Sequence, residues 1–173
     1  MRSQSAAGLA AALLVALAAP VAAQQKSDDD AFKLMKTEKI GTLRIGAPEA
    51  EVKRAITAQP KRTREIFQAA DARYVQRWTY APQGLELRMG SDKKGAPKDV
   101  DAIDCRARCT LKSARGVGIG STLADVQKAY AAEFNKDESK LPELFVAGTI
   151  YGGLLFKFKA GKVSAMFLGA AAE

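Results

Sequence analysis

The chain has 173 residues, with 27 Lys and Arg against 19 Asp and Glu, two Cys, one Trp and no His. That length suits one compact domain or two small ones and is enough to bury a core. Without histidine, Ser–His–Asp and Cys–His catalysis are excluded and the commonest transition-metal ligand is missing.

Met1-Arg2 precedes an apolar run of Ala, Gly, Leu and Val from Ala6 to Ala19, broken by Pro20 and followed by the small residues Val21-Ala22-Ala23. A short positive start, a run of this length and a small-residue exit read as a secretory signal peptide over residues 1–23. The competing reading, a membrane anchor, needs about 20 apolar residues, more than the run supplies. No cysteine follows it to carry a lipid. Cleavage after Ala23 removes Arg2 and no acid, which lowers the formal charge of +8 by one. The expected location is periplasmic or secreted, with no transmembrane segment left after cleavage. A basic protein there is expected to meet an envelope protein or an anionic envelope component rather than nucleic acid.

Residues 24–38 are polar and read as a flexible arm. Its acidic triplet Asp28-Asp29-Asp30 lacks the oxygen-rich loop spacing of a calcium site, so no metal is expected there.

An internal repeat follows. Leu43-Arg-Ile-Gly-Ala-Pro-Glu-Ala-Glu-Val-Lys-Arg-Ala-Ile56 aligns with Val117-Gly-Ile-Gly-Ser-Thr-Leu-Ala-Asp-Val-Gln-Lys-Ala-Tyr130. In each copy a short extended piece ends at Gly46 or Gly120 and a helix begins. Ser121 is expected to cap the second helix with its hydroxyl, and Pro48 to take the first helical position of the first, where a missing N–H costs nothing. Glu49, Glu51 and Asp125 oppose the helix dipole, and Val52, Ile56, Leu123, Val126 and Tyr130 form apolar stripes at helical spacing.

Three strand-like segments follow each helix: Tyr74–Tyr80, Leu85–Met89 and Val100–Cys105, then Leu144–Tyr151, Leu154–Lys159 and Val163–Leu168. The middle segments alternate apolar with polar or charged residues, one face for the core and one for solvent. Ala81-Pro-Gln-Gly84, Gly152-Gly153 and Ala160-Gly161-Lys162 supply the turns. The fold class is therefore α+β: two tandem helix–β-meander repeats, spanning 39–112 and 113–173, with an antiparallel sheet covered by helices on one face.

Ile45-Gly46, Glu51-Val52, Trp78-Thr79-Tyr80, Ile119-Gly120, Asp125-Val126, the Leu154–Phe158 strand and Gly161-Lys162-Val163 carry a resemblance. The pattern resembles the small outer-membrane assembly lipoproteins (BamE/SmpA-like) and is similar to the tandem-repeat β-lactamase-inhibitory proteins. The resemblance implies a non-catalytic protein-interaction module of the cell envelope or, alternatively, a secreted proteinaceous inhibitor of an envelope or extracellular hydrolase.

Three features are candidate sites. Cys105-Arg-Ala-Arg-Cys109 is the sole cysteine pair, and in an oxidising compartment it is expected to form a disulfide. A redox centre, the competing reading, favours two intervening residues at a helix start, whereas three intervene here in a strand-and-turn context. Arg106 and Arg108 at the tip of that loop are candidate contacts for an acidic partner, against the plainer reading of a solvated charged stretch. Between Lys93 and Arg115 seven basic residues stand against three acids. Trp78 aligns with Thr149, so the repeat does not demand an aromatic there; it is the third partner-binding candidate, against an ordinary place in the core. The glycine-rich Gly116-Val-Gly-Ile-Gly120 lacks the spacing of a dinucleotide-binding turn. With no carboxylate pair, nucleophile with its base or metal cluster in the sequence, neither enzyme activity nor a cofactor is expected.

Overall fold

Strands form where apolar side chains alternate with polar or charged ones and where a turn lets the chain reverse. The computed structural model, which describes residues 32–171, contains eight: β1 (Lys61–Arg62), β2 (Ile66–Gln68), β3 (Arg73–Tyr80), β4 (Leu85–Ser91), β5 (Asp99–Cys105), β6 (Leu144–Ala147), β7 (Gly153–Lys159) and β8 (Lys162–Gly169). They make one sheet in the order β1-β3-β4-β5-β8-β7-β6, with β2 also on β3. Every strand pairing is antiparallel. Three helices complete the α+β fold: α1 (residues 32–37), α2 (Glu49–Ala55) and α3 (Leu123–Ala129). None of them is long and apolar enough to cross a membrane. The signal peptide and Asp28-Asp29-Asp30 lie outside the described residues.

The turns follow the local chemistry. Ala160 and Gly161 both have positive φ (51° and 71°) between Lys159 and Lys162, the two-residue geometry that suits the twist of a hairpin. Gly84 closes the β3–β4 turn at φ 61°, and a methyl there would run into the backbone of Ala107 and Cys109. Each pair β4·β5 and β7·β8 carries a bulge, at Arg88/Met89 and at Lys157/Phe158. In front of α2, Gly46 N donates to Val100 O (2.8 Å) and Val100 N to Ala47 O (3.0 Å). In front of α3, Gly120 N donates to Val163 O and Val163 N to Ser121 O, both at 2.8 Å.

The core is one cluster of buried apolar side chains. Leu87, Met89, Ile103, Phe156, Met166 and Leu168 from the strands are buried in one cluster with Val52 of α2 and Val126 of α3. Each such side chain contributes roughly 1.5–3 kcal/mol by leaving water. Tyr130, Phe156, Phe145 and Phe134 form a run of ring contacts at 4.8–6.3 Å, close enough to interact beyond simple burial.

The structure corrects several expectations. Thr122, not Ser121, caps α3, because it can form a reciprocal capping box with Asp125; the Ser121 hydroxyl accepts instead from Gly118 N. Pro48 sits at the N-cap of α2 in extended conformation, one position earlier than expected. β6 stops at Ala147 rather than Tyr151, because Gly148 takes φ 83° and Glu138 gathers Thr149 Oγ1 and Ile150 N. β1, two charged residues, and β2, the three residues Ile66–Gln68, are too short to show a period-two pattern and lie outside the expected strands.

The second half of the expected arm is also structured. Residues 32–37 are helical, Leu34 is buried, and Phe32 and Met35 pack on Gly152. The anchor is Glu38. Its buried carboxylate accepts from Tyr130 OH (2.9 Å), Ala114 N (2.8 Å) and Lys39 N (2.9 Å). Charged acceptors make the stronger hydrogen bonds, and a donor orphaned in the interior loses more than the bond itself. Glu38→Ala therefore lowers unfolding free energy by about 3 kcal/mol, read as a lower urea midpoint at unchanged slope; a shift within error would show that the carboxylate holds nothing.

Candidate interaction face

The side chains that alternate with the core residues point to the opposite face of the sheet. Arg77 comes from β3, Glu86 and Arg88 from β4, Ala102 and Asp104 from β5, Phe167 from β8, Leu155 and Lys157 from β7. Two adjoining clefts of about 630 and 720 Å³ run across this face and share Arg88, Asp104, Arg106 and Phe167. Their walls carry the cations Arg64, Arg77, Arg88, Arg106 and Lys157 against the carboxylates Glu86 and Asp104. Arg106 grips Asp104 through Nε and Nη2 (2.6 Å at the closest), and Arg77 Nε lies 3.0 Å from Glu86, which also accepts from Thr79 Oγ1. These surface pairs contribute little to stability, but they hold the guanidinium groups in place over an apolar floor that includes Ala102 and Phe167.

Cys105 and Cys109 lie at disulfide distance, with Cα atoms 5.5 Å apart. The loop between them is fixed by Arg106 N donating to Gly84 O (2.9 Å) and Cys109 N to Arg106 O (2.8 Å). The two candidate arginines part company here. Arg106 is exposed and lines both clefts. Arg108 is exposed at φ 77° and lines neither.

Trp78 is corrected as a partner-binding candidate. It is 1% exposed, its Nε1 donates to Gln76 Oε1 (2.7 Å), and the Arg62 guanidinium lies 4.1 Å from its ring centroid. It pairs with Leu87 across the sheet, so a partner touching the folded protein does not reach it. The alignment that singled it out paired it with Thr149, and that residue lies beyond the end of β6.

At the far end of the same face sits a cluster that the sequence reading counted only as acids. Arg73 contacts Asp101 (3.1 Å), Asp99 (2.9 Å) and Asp92 (3.7 Å). Asp101 occupies the bulge of β5, with its carboxylate packed on Gly90, where a side chain of any kind would collide with it. Its side chain is 13% exposed. Burial outweighs the attraction of Arg73, and Asp99 adds to the effect, so its pKa is pushed up to about 6. The readable signal was Asp99-Val-Asp101, two acids on one side of a strand, which no arginine nearby in sequence explained. Among the described residues no group of His, Cys, Asp and Glu is arranged to hold a metal ion.

Comparison with known protein families, curated proteins and solved structures returns no match.

Asp101 sets a pH dependence whose sign is opposite to that of an ordinary paired carboxylate. Its folded pKa lies above the unfolded value of 3.8, so between about pH 4 and 6 the native state holds more protons than the unfolded chain, and stability falls as pH rises through that window. Asp101→Asn removes this loss, on the order of 2–3 kcal/mol at pH 7, so melting temperatures of the variant and the parent diverge as pH rises from about 4 to 6 and stay apart above it, with the variant higher. A variant that melts lower at pH 7 would show that the Arg73 contact outweighs burial.

Proposed function

We propose that the mature chain is a non-catalytic interaction module of the cell envelope, binding a protein partner or an anionic envelope component through the cleft-bearing face of its sheet. The observation that carries this reading is the meeting of both clefts at Arg88, Asp104, Arg106 and Phe167. A broad, shallow, basic surface with an apolar floor and side chains already held by ion pairs loses little entropy on binding, and an excess of cations steers acidic partners toward it. The disulfide-distance pair fits an oxidising compartment.

The reading includes a duplicated architecture, supported by correspondences finer than the sequence alignment. The hydrogen bonds of Gly46, Ala47 and Val100 match those of Gly120, Ser121 and Val163. The bulge that leaves Asp101 unpaired matches the one that leaves Ser164 unpaired. In the pairing of β5 with β8, Asp104 lies opposite Phe167, flanked by Ile103↔Leu168 and Cys105↔Met166. Matching Ile103 with Met166 and Cys105 with Leu168 puts a pseudo-twofold axis through the Asp104–Phe167 pair, where the clefts meet. In this register Trp78 corresponds to Phe145, and both are buried. The likeness to BamE-like repeats and to the tandem-repeat inhibitory proteins belongs to the same proposal.

The inhibitor reading asks for a loop that stands clear to fill a partner's cleft. The Cys105–Cys109 loop is instead bonded to Gly84, and Arg106 is drawn back to Asp104, which favours the face over the loop. The test is site-specific photocrosslinking in the periplasm with the probe at Arg106, Lys157 or Lys128. A common adduct from the first two and none from Lys128 on α3 is the expected result, with at least about tenfold less adduct in Arg88→Glu. An adduct as strong from Lys128, or none from the face, overturns the proposal. Micromolar inhibition of an envelope hydrolase that is abolished by Arg108→Ala would transfer the function to the loop.

A further inference from the structure

The two ends of the sheet are finished differently. At one end, β6 is covered on its outer side: Asn135 N donates to Val146 O (2.9 Å), Gly148 N to Glu133 O (2.7 Å), and Phe134 bridges to Ala147. At the other end β1 and β2 lie along β3, and among the described residues no strand pairs with their outer side. An open edge is a template for another strand. This one also exposes two adjacent large apolar side chains, Ile66 (51%) and Phe67 (56%). Ile66 pairs with Val75 on the cleft side of the sheet, and Phe67 pairs with Tyr74 on the other, ring centroids 5.1 Å apart.

The charge around this edge is one-sided. Lys61, Arg62 and Arg64 are exposed, and Arg77 stands next to them on β3. The one acid among them, Glu65, is turned inward, where its carboxylate meets Lys98 Nζ (2.7 Å) and Gly95 N (2.9 Å). A strand that adds here meets an edge that no described strand pairs, an apolar side chain on each face of the sheet, and the exposed cations Lys61 and Arg64, while Arg77 is held by Glu86 and Arg62 has Glu49 nearby.

We propose that the β1–β2 edge is a strand-addition site for an extended acidic segment of a partner protein, one in which apolar residues alternate with Asp or Glu. Main-chain hydrogen bonds supply the register, the apolar residues cover Ile66 and Phe67, and the carboxylates meet Lys61 and Arg64. A second copy of this chain is disfavoured as the occupant, because it brings the same three cations to one seam. The edge shares Arg64, Ile66 and Phe67 with the wall of the larger cleft, but the proposal rests on the open strand edge, and binding centred on the cleft floor around Phe167 would leave the edge unused.

The experiment uses the isotope-labelled mature protein and an eight-residue end-blocked peptide that alternates Val with Glu. Saturable amide shifts at residues 61–68 are expected, weakened by added salt. The same peptide N-methylated at alternate residues, on the side that would face the edge, binds at least about tenfold more weakly, since the lost contacts are backbone hydrogen bonds. Phe67→Lys, at an exposed position that leaves the circular dichroism spectrum unchanged, loses the shifts. Equal binding of the N-methylated peptide or of a Val/Lys peptide overturns the proposal, as do shifts confined to the region of Phe167 and Lys157. A concentration-dependent dimer seen by sedimentation and abolished by Phe67→Lys would assign the edge to a second copy and overturn it as well.

Discussion

The pairing of β5 with β8 is the contact on which the rest of the architecture depends. Four residue pairs, from Ala102↔Gly169 to Cys105↔Met166, join strands that are far apart in sequence and make one sheet out of what would otherwise be a five-stranded piece (β1–β5) and a three-stranded one (β6–β8). Each backbone hydrogen bond there is worth only about 1 kcal/mol. The larger return comes from the side chains it aligns. Ile103, Met166 and Leu168 become fully buried on one face, while Asp104 and Phe167 are set side by side on the other. A two-residue slip of β8 along β5 would keep the apolar side inward but would separate Asp104 from Phe167. Gly169 helps to fix the register, since a side chain there would press on Ala102 and the backbone of Asp101.

The face that results is organised by its ion pairs more than it is stabilised by them. Arg77 and Arg106 each have a carboxylate within hydrogen-bonding distance in the same sheet, so their orientation is set before anything binds. The Asp101 cluster is the reverse case. Three carboxylates around one arginine leave the most buried of them with a raised pKa, and the chain bears that cost at a β-bulge. Where a strand is bulged its side chains are re-aimed, and here the extra residue is the one that turns toward Arg73.

Much of the sheet was legible because period-two alternation is imposed by burial. Leu85, Leu87 and Met89, then Leu154, Phe156 and Phe158, are apolar because one side of β4 and β7 meets the core, and those strands were placed to within two residues. The β6 register was not legible. Phe145 and Tyr151 both suit a strand, and only the left-handed turn at Gly148 and the half-buried carboxylate of Glu138 show that the chain leaves the sheet between them. That slip misjudged Trp78, since the match with Thr149 falls beyond the end of β6; under the proposed duplication its counterpart is Phe145. The caps were ambiguous for a similar reason: Ser121 and Thr122 are both good capping residues, and the choice falls to Thr122 because Asp125 lies three residues beyond it. The helix at residues 32–37 is too short for its apolar residues to show a helical period, and what seats it is long-range: Leu34 in the core, Phe32 and Met35 on Gly152, and the adjoining Glu38 carboxylate on Tyr130, 92 residues on. Of the candidate site, Arg106 was visible as part of a pinned basic loop. The clefts were not, because they draw on residues from seven strands, β2 to β8, that only the β5·β8 pairing brings together.

The proposed duplication also explains where the two halves are free to differ. Positions matched across the pseudo-twofold axis and facing the core stay apolar: Val52 with Val126, Leu87 with Phe156, Met89 with Phe158, Val100 with Val163. A shared core penalises change at each of them, because a lost methylene leaves a cavity and an added one forces a shift. The outward positions are under no such constraint, and there the halves have separated. Glu86 stands where Leu155 does, Asp104 where Phe167 does, and Asp101 where Ser164 does. The first half thus contributes mainly charge to the cleft and the second mainly apolar surface. Two identical halves would offer a partner two equal ways to bind, related by the axis. Under that proposal the divergence removes the ambiguity: Glu86 and Asp104 stand on one half only, so an acidic or basic partner lying across the face has one favoured orientation.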